Sequence, residues 1–272
     1  MPPAARRLIV SADDFGFTRD VNLGILEAYH RGILRAAGLL AAGPAFEHAV
    51  ELARATPSLD VGAHLALLGM PSALDGRPLP NTLRQLLGAL ALRRLPVYEE
   101  LAAQMRRILA AGLCPSHLDT HKHTHLLPPV LDALIRLAKE FGVPWIRRPF
   151  DLPWPGAPSL PWRRRLACAA TALLRPSFDR RLHRHRLRTT DHFAGLRLTG
   201  QFDAADLVRL IYALPPGLTE LMCHPGFHGP ELDAAPTRLK QSRARELAAL
   251  TSPKVFEALT RAGVELTSFR DA

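Results

Sequence analysis

Cysteine is scarce in this 272-residue chain: there are three, Cys114, Cys168 and Cys223, an odd number with no CxxC pair. That excludes a disulfide framework and fits a reducing compartment. Aromatic residues make up 6% of the chain, with no zinc-finger or recognition-helix pattern among them. The formal net charge of +10 therefore lacks the companions of a nucleic-acid binder, and nucleic acid is set aside as a partner. No apolar run reaches the roughly 18 residues of a membrane span. No signal-peptide pattern is seen either: Met1 to Arg7 leads into a few apolar residues and then Asp13-Asp14. The cytoplasm is the expected location. Neither GxGxxG nor GxxxxGK[ST] occurs, which removes a dinucleotide site and a P-loop, and there is no internal repeat.

What is present is enough for a full core. Hydrophobic content is 47%, and the length suits one large α/β domain or two small ones. Short apolar runs alternate with amphipathic ones. Strands are expected at 7–12, 34–42, 60–67, 116–121, 143–147, 189–196, 219–223 and 264–269. Helices are expected up to Arg31 from a cap at Thr18 or Asp20, and over 45–55, 82–92, 98–111, 128–141, 163–174, 203–213, 236–250 and 253–262. This order favours a parallel sheet with helical crossovers. Chemistry-bearing residues fall at four separate strand ends: Asp13-Asp14, His64, Asp119/His121 and His224. A barrel gathers such ends onto one rim, whereas an open sheet spreads them.

The strongest single signal is Ser116 to His125. His117, Asp119, His121, His123 and His125 all sit at odd numbers, and alternate residues of an extended strand share a face. Such a row wants a partner, and the usual one is a metal. Side chains at alternate strand positions are about 6.6 Å apart, so a small ion takes one or two of the five. Spacing alone leaves open which. One aspartate and two histidines around an open metal position suit hydrolysis of an amide or ester, with a second carboxylate taking the proton of water and a histidine protonating the leaving nitrogen. The same ligand set serves iron oxygenases of cupin-like β-fold, which the βα alternation argues against. Arg147 and Arg148, after a strand and before Pro149, divide evenly between substrate contact and a structural ion pair. Taken singly, Asp13-Asp14 holds more carboxylate than a helix cap needs, His64 reads as a core histidine sooner than a ligand, and His224 reads as an acid or base sooner than a turn residue.

Read together, Ser11-Ala12-Asp13-Asp14-Phe15-Gly16, Gly62-Ala63-His64-Leu65, the His117 to His125 run, Ile146-Arg147-Arg148-Pro149 and Cys223-His224-Pro225-Gly226 resemble the YdjC-like carbohydrate deacetylases. The likeness runs in order from residue 7 onward. It implies an α/β, (β/α) barrel-like fold related to polysaccharide deacetylases, distorted or with fewer than eight strands, as one domain over 1–272. It implies a divalent metal, Mg²⁺ first and Zn²⁺ or another ion as alternatives, held by Asp14, His64 and His121. Asp13 is then the general base and His224 the general acid. Arg147, His125, His123 and Asp119 fall at the substrate or in support.

The implied reaction removes the N-acetyl group from an acetamido sugar. The basic, proline-led stretch 149–188 departs from the pattern, and 186–200 is closer to the hopanoid-associated branch of the family than to the chitooligosaccharide branch. That leaves a free chitooligosaccharide and a lipid-linked N-acetylglucosamine, such as a hopanoid glycolipid, both open as substrates. For 163–188 a solvated insertion is preferred over contact with an anionic membrane surface, and a homodimer stays open. The competing functions are a sugar-binding protein on the same scaffold and a metal-dependent phosphoesterase.

Overall fold

Arg6–Phe15 (β1) is the strand around which the sheet is built, with Leu8, Ile9 and Val10 all fully buried. Burial on both faces is what a central parallel strand requires. In this computed structural model the described residues are 5–155, 157 and 162–272, with 163–165 and 167 as backbone only. Pro158 and Pro161, part of the irregular lead-in expected before residue 163, lie outside them.

The remaining strands are Ala36–Leu39 (β2), Asp60–Leu65 (β3), His117–Thr120 (β4), Trp145–Ile146 (β5), His192–Ala194 (β6), Gly217–Cys223 (β7) and Val264–Leu266 (β8). The helices are Arg19–Arg31 (α1), Phe46–Ala55 (α2), Leu83–Ala91 (α3), Val97–Ala110 (α4), Pro128–Glu140 (α5), Trp162–Ala172 (α6) and Arg175–Arg184 (α7). They continue with Ala204–Ala213 (α8), Pro230–Ala234 (α9), Gln241–Leu250 (α10) and Pro253–Ala262 (α11).

All ladders are parallel, in the order β5-β4-β3-β2-β1-β7-β6, and β8 pairs with the start of β1 below β2. The two edges, β5 and β6, are joined by single bridges, Trp145 to Arg188 and Asp151 to Phe193. Among the described residues the sheet is therefore an incomplete barrel with seven strands on its path, the distorted barrel that the resemblance implies. Leu8, Val10 and Ala12 pack outward against the helices, while Ile9 joins Ala36, Trp145, Leu218 and Phe269 in a small separate cluster. Strand alternation puts that cluster inside the barrel, at its N-terminal end.

Element existence follows the sequence expectation, and boundaries shift. The strand expected at 116–121 stops at Thr120, and the helix expected over 236–250 starts at Gln241, preceded by the short α9. The Thr18 hydroxyl caps α1 by accepting from Val21 N at 3.2 Å. The stretch after Arg175 is not simply a solvated insertion. It forms α7, whose Phe178 and Leu182 are buried, with Phe178 against Phe150 and His125.

Helix α1 lies directly on the segment after β7. A Cβ on Gly24 would meet Gly226 Cα at 2.4 Å and Phe227 N at 2.7 Å, both backbone atoms that cannot swing aside. Gly24→Ala is expected to destabilise the protein by about 1–3 kcal/mol through overpacking, more than the ~1 kcal/mol of helix propensity it gains. Urea denaturation measures this directly.

Candidate active site

Two consecutive aspartates on a regular strand point to opposite faces. Here both reach one cavity because β1 breaks at its end. Asp14 adopts φ +69°, and the pairing with β2 slips between Ala12 and Phe15. A non-glycine residue in this left-handed region stores strain, and the turn is pinned: Gly16 N donates to Asn22 Oδ1 at 2.6 Å and Phe17 N to Asp14 O at 3.0 Å. The carboxylates end in different company. Asp13 is tied to Arg147 Nη1, at 2.8 Å from Oδ1 and 2.9 Å from Oδ2. Asp14 Oδ2 accepts from Arg243 Nη2 at 2.5 Å.

His64 on β3 lies against Gly38 of β2, whose lack of a side chain makes room: a Cβ there would lie 2.9 Å from His64 Cβ. His64 Nδ1 donates to Asp119 Oδ1 at 2.7 Å, which leaves Nε2 as the free lone pair. That nitrogen lies 3.3 Å from His121 Nδ1 and 3.7 Å from Asp14 Oδ1, and Asp14 Oδ1 is 3.2 Å from His121 Nδ1. Three lone-pair atoms thus converge within 4.8 Å of one another. Asp14 Oδ1 is buried and has no hydrogen-bond partner. Such a convergence repels itself unless a cation or proton sits in it. One carboxylate and two imidazoles, with a carboxylate fixing one ring from behind, fit a divalent metal.

Protonation follows from the same contacts. Burial opposes charge on His64, but Asp119, Asp13 and Asp14 outweigh it and hold its pKa up at about 9 without a cation, so a metal at Nε2 would displace a proton from that nitrogen. Burial pushes Asp14 up, and Arg243, His121 and His224 together outweigh that and keep it well below the carboxylate range. For Asp13 burial wins over Arg147 and the pKa is raised. Burial drives His224 down to about 3, against the pull of Asp14, so its imidazole is neutral. Its Nε2 lies 4.0 Å from Asp13 Oδ2, and its Nδ1 is buried without a partner.

The row from 117 to 125 is not one face. After Thr120 the chain enters a tight turn, with Lys122 at φ +55° and His123 at +52°. His117 lies in the barrel floor, stacked on Phe269 at 4.0 Å between ring centroids. His121 reaches the triangle. His125 is fully buried, accepting from Thr120 Oγ1 at 2.7 Å and donating to Arg147 O at 3.1 Å. Of the four residues expected at the substrate, His123 lines the cavity, while Asp119, His125 and Arg147 are buried behind it. Arg147 takes the ion-pair role and not the place at the substrate that the resemblance implies. Its guanidinium is fully enclosed, spanning Asp13, Asp119 and Glu220, the last at 2.7 Å. It has no donor-bearing surface to offer a sugar.

The cavity measures about 870 Å³ and is lined by Asp13, Asp14, His121, His123 and His224 on one side and by Met70, Leu196 and Leu239 among its apolar walls. That volume lies within the roughly 300–1,000 Å³ of small-molecule sites. Sequence reasoning missed Glu220, Arg243, Glu246 and Asn22. Glu220 left a trace, an acid inside the buried strand that carries His224. Arg243 and Glu246 left none, since 35 Lys and Arg and 25 Asp and Glu residues offer many equivalents. Glu246 accepts from His224 N at 2.6 Å and from Gly200 N at 2.8 Å, fixing the rim from outside the barrel.

Known proteins resemble this chain over nearly its whole length. A carbohydrate deacetylase of Geobacillus stearothermophilus is 33% identical over 274 residues, covering 98% of each chain. A human carbohydrate deacetylase is 32% identical over 310 residues, covering 97% of this chain and 90% of the relative. A crystal structure from Enterococcus faecalis, of a protein provisionally assigned to cellobiose-phosphate cleavage, shares the fold with a TM-score of 0.76 at 24% identity, over 98% of both chains. The family model for YdjC-like proteins matches residues 7–261, and the chain belongs to the YdjC-like family.

Proposed function

We propose that this protein is a metal-dependent carbohydrate deacetylase that hydrolyses the N-acetyl group of an acetamido sugar to acetate and a free amine. The observation that carries this reading is the Asp14–His64–His121 triangle beside Asp13 and His224 at one cavity wall. The names of the full-length relatives support it. A divalent cation held by the triangle would polarise the acetyl carbonyl and lower the pKa of an attacking water. Two imidazoles and one carboxylate favour zinc or another borderline ion over magnesium, which prefers oxygen.

Asp13 takes the proton of water as its oxygen bonds to the carbonyl carbon. Arg147 holds that carboxylate from behind without entering the cavity. His224 protonates the sugar nitrogen as the C–N bond breaks. Since burial keeps His224 neutral, it must first receive a proton, and Asp13 Oδ2 at 4.0 Å is the carrier within reach. His123, with a buried and unpartnered Nδ1, is placed to bind the sugar.

The test is acetate release from N-acetylated chitooligosaccharides and from lipid-linked N-acetylglucosamine. Activity should vanish on chelation and return with added Zn²⁺ or Mg²⁺, the better ion naming the metal. Phosphate release from phosphoesters without acetate release would establish the phosphoesterase instead. Metal content with no hydrolysis across the panel would establish a binding protein.

A further inference from the structure

Arg243 reaches Asp14 from another layer of the fold. It lies in the first turn of α10, outside the barrel, and is 1% exposed. Its side chain is held at Nε, along its methylenes and at Nη2, while Nη1 is buried without a hydrogen-bond partner. Nε donates to Leu239 O at 3.2 Å, its Cβ and Cδ press on Gly226, where an added Cβ would stand 3.3 and 3.2 Å away, and Gly226 N donates to Arg243 O at 3.3 Å. The guanidinium faces the Phe17 ring at 5.8 Å. So held, Nη2 meets only one oxygen of Asp14, Oδ2. The other, Oδ1, is the atom without a hydrogen bond that faces His64 and His121.

A guanidinium next to a cation site repels the cation. A site shaped for affinity alone would leave it out. The arginine divides the Asp14 carboxylate, charge-pairing one oxygen and leaving one. We propose that Arg243 is a positioning residue that limits Asp14 to a single ligating oxygen, so that a place beside the cation stays open for water and the acetyl group. The proposal rests on reading Asp14, His64 and His121 as the cation site.

Two effects of removing the guanidinium oppose each other. Repulsion of the cation disappears, which tightens binding. The freed Oδ2 can turn toward the cation and fill the open place, which slows turnover. The test uses metal-free full-length protein with Arg243→Met and Arg243→Lys, Zn²⁺ titrated calorimetrically, and kcat and KM measured on an N-acetylated sugar. Arg243→Met should bind Zn²⁺ at least as tightly as the unsubstituted protein, while kcat falls about 10–100-fold and KM is little changed. Arg243→Lys, which keeps the charge and a donor, should recover part of kcat.

Unchanged kcat in Arg243→Met, or weaker Zn²⁺ binding with intact circular dichroism, overturns the proposal. If Arg243→Met does not fold, Arg243→Lys decides: a reduced kcat with undiminished Zn²⁺ affinity upholds it, and full activity or weakened binding overturns it. Asp14→Asn separates this from the underlying reading. Unaltered Zn²⁺ affinity there would show that Asp14 is not a ligand at all, whatever Arg243 does.

Discussion

Asp13→Asn will bind the divalent cation as the unsubstituted protein does, and will release acetate about 10²–10⁴-fold more slowly, the usual worth of a general base. Asp13 and Asp14 are adjacent and both line the cavity, so the sequence alone permits either to be the ligand. The contacts separate them. Asp13 also belongs to a convergent group with His64 and Asp119, but there the central position is already taken by the Arg147 guanidinium, which touches both carboxylates. A second cation cannot share that space. Asp14 instead turns an unpartnered oxygen to two imidazoles. The substitution is nearly isosteric and leaves the Arg147–Asp119 and Arg147–Glu220 contacts in place, so the fold should hold. Calorimetric Zn²⁺ titration and a coupled acetate assay on the same preparation check both halves. Loss of metal with Asp13→Asn would exchange the roles of the two aspartates.

Much of this site is legible in the sequence because strand ends in a parallel barrel meet on one rim. Four apolar runs ending in Asp13-Asp14, His64, His121 and His224 suffice to bring those residues together before any coordinate is known. The resemblance then sorts them into roles that spacing cannot. What stays hidden has two physical causes. The first is local backbone geometry. Nothing in Lys122-His123 announces two successive residues with positive φ, since neither is glycine or asparagine. Yet that turn breaks up the histidine row, sending His121 to the triangle and His125 into the core. The second is long-range charge pairing. Arg147 and Glu220 are 73 residues apart, and Arg243 and Asp14 are 229 apart. In the sequence Arg147 divides between substrate contact and an ion pair and Arg243 carries no signal, and only packing shows that both are enclosed.

That enclosure makes Arg147 the residue whose loss should most damage the fold. Its cation touches three buried carboxylates at once, those of Asp13, Asp119 and Glu220. Burial holds Glu220 up at about 7 even against the pull of Arg147, while Asp119, pulled by Arg147 and His64, stays far below the carboxylate range in spite of its burial. Arg147→Met removes the compensating charge and should cost about 3–5 kcal/mol, the usual penalty for stranding a buried ion-pair partner. Against a typical total of roughly 5–15 kcal/mol, this leaves a marginal protein. The deficit has a defined pH dependence. Without Arg147 the folded-state pKa values of Asp13 and Glu220, already raised by burial, rise further above their unfolded values. Folding then binds protons, and the stability those acids contribute is present at low pH and lost as pH rises through the raised values. Urea midpoints for Arg147→Met should therefore lie closer to those of the unsubstituted protein at pH 5 than at pH 8. An equal deficit at both pH values would mean that the three carboxylates are not the cause. Glu220→Gln, which removes one acid and keeps an acceptor for Arg147 Nε, should by contrast cost little at either pH. The arginine follows β5 and its three partners lie on β1, β4 and β7, so the same charge cluster that steadies Asp13 also ties the open edge of the barrel to the middle of its sheet.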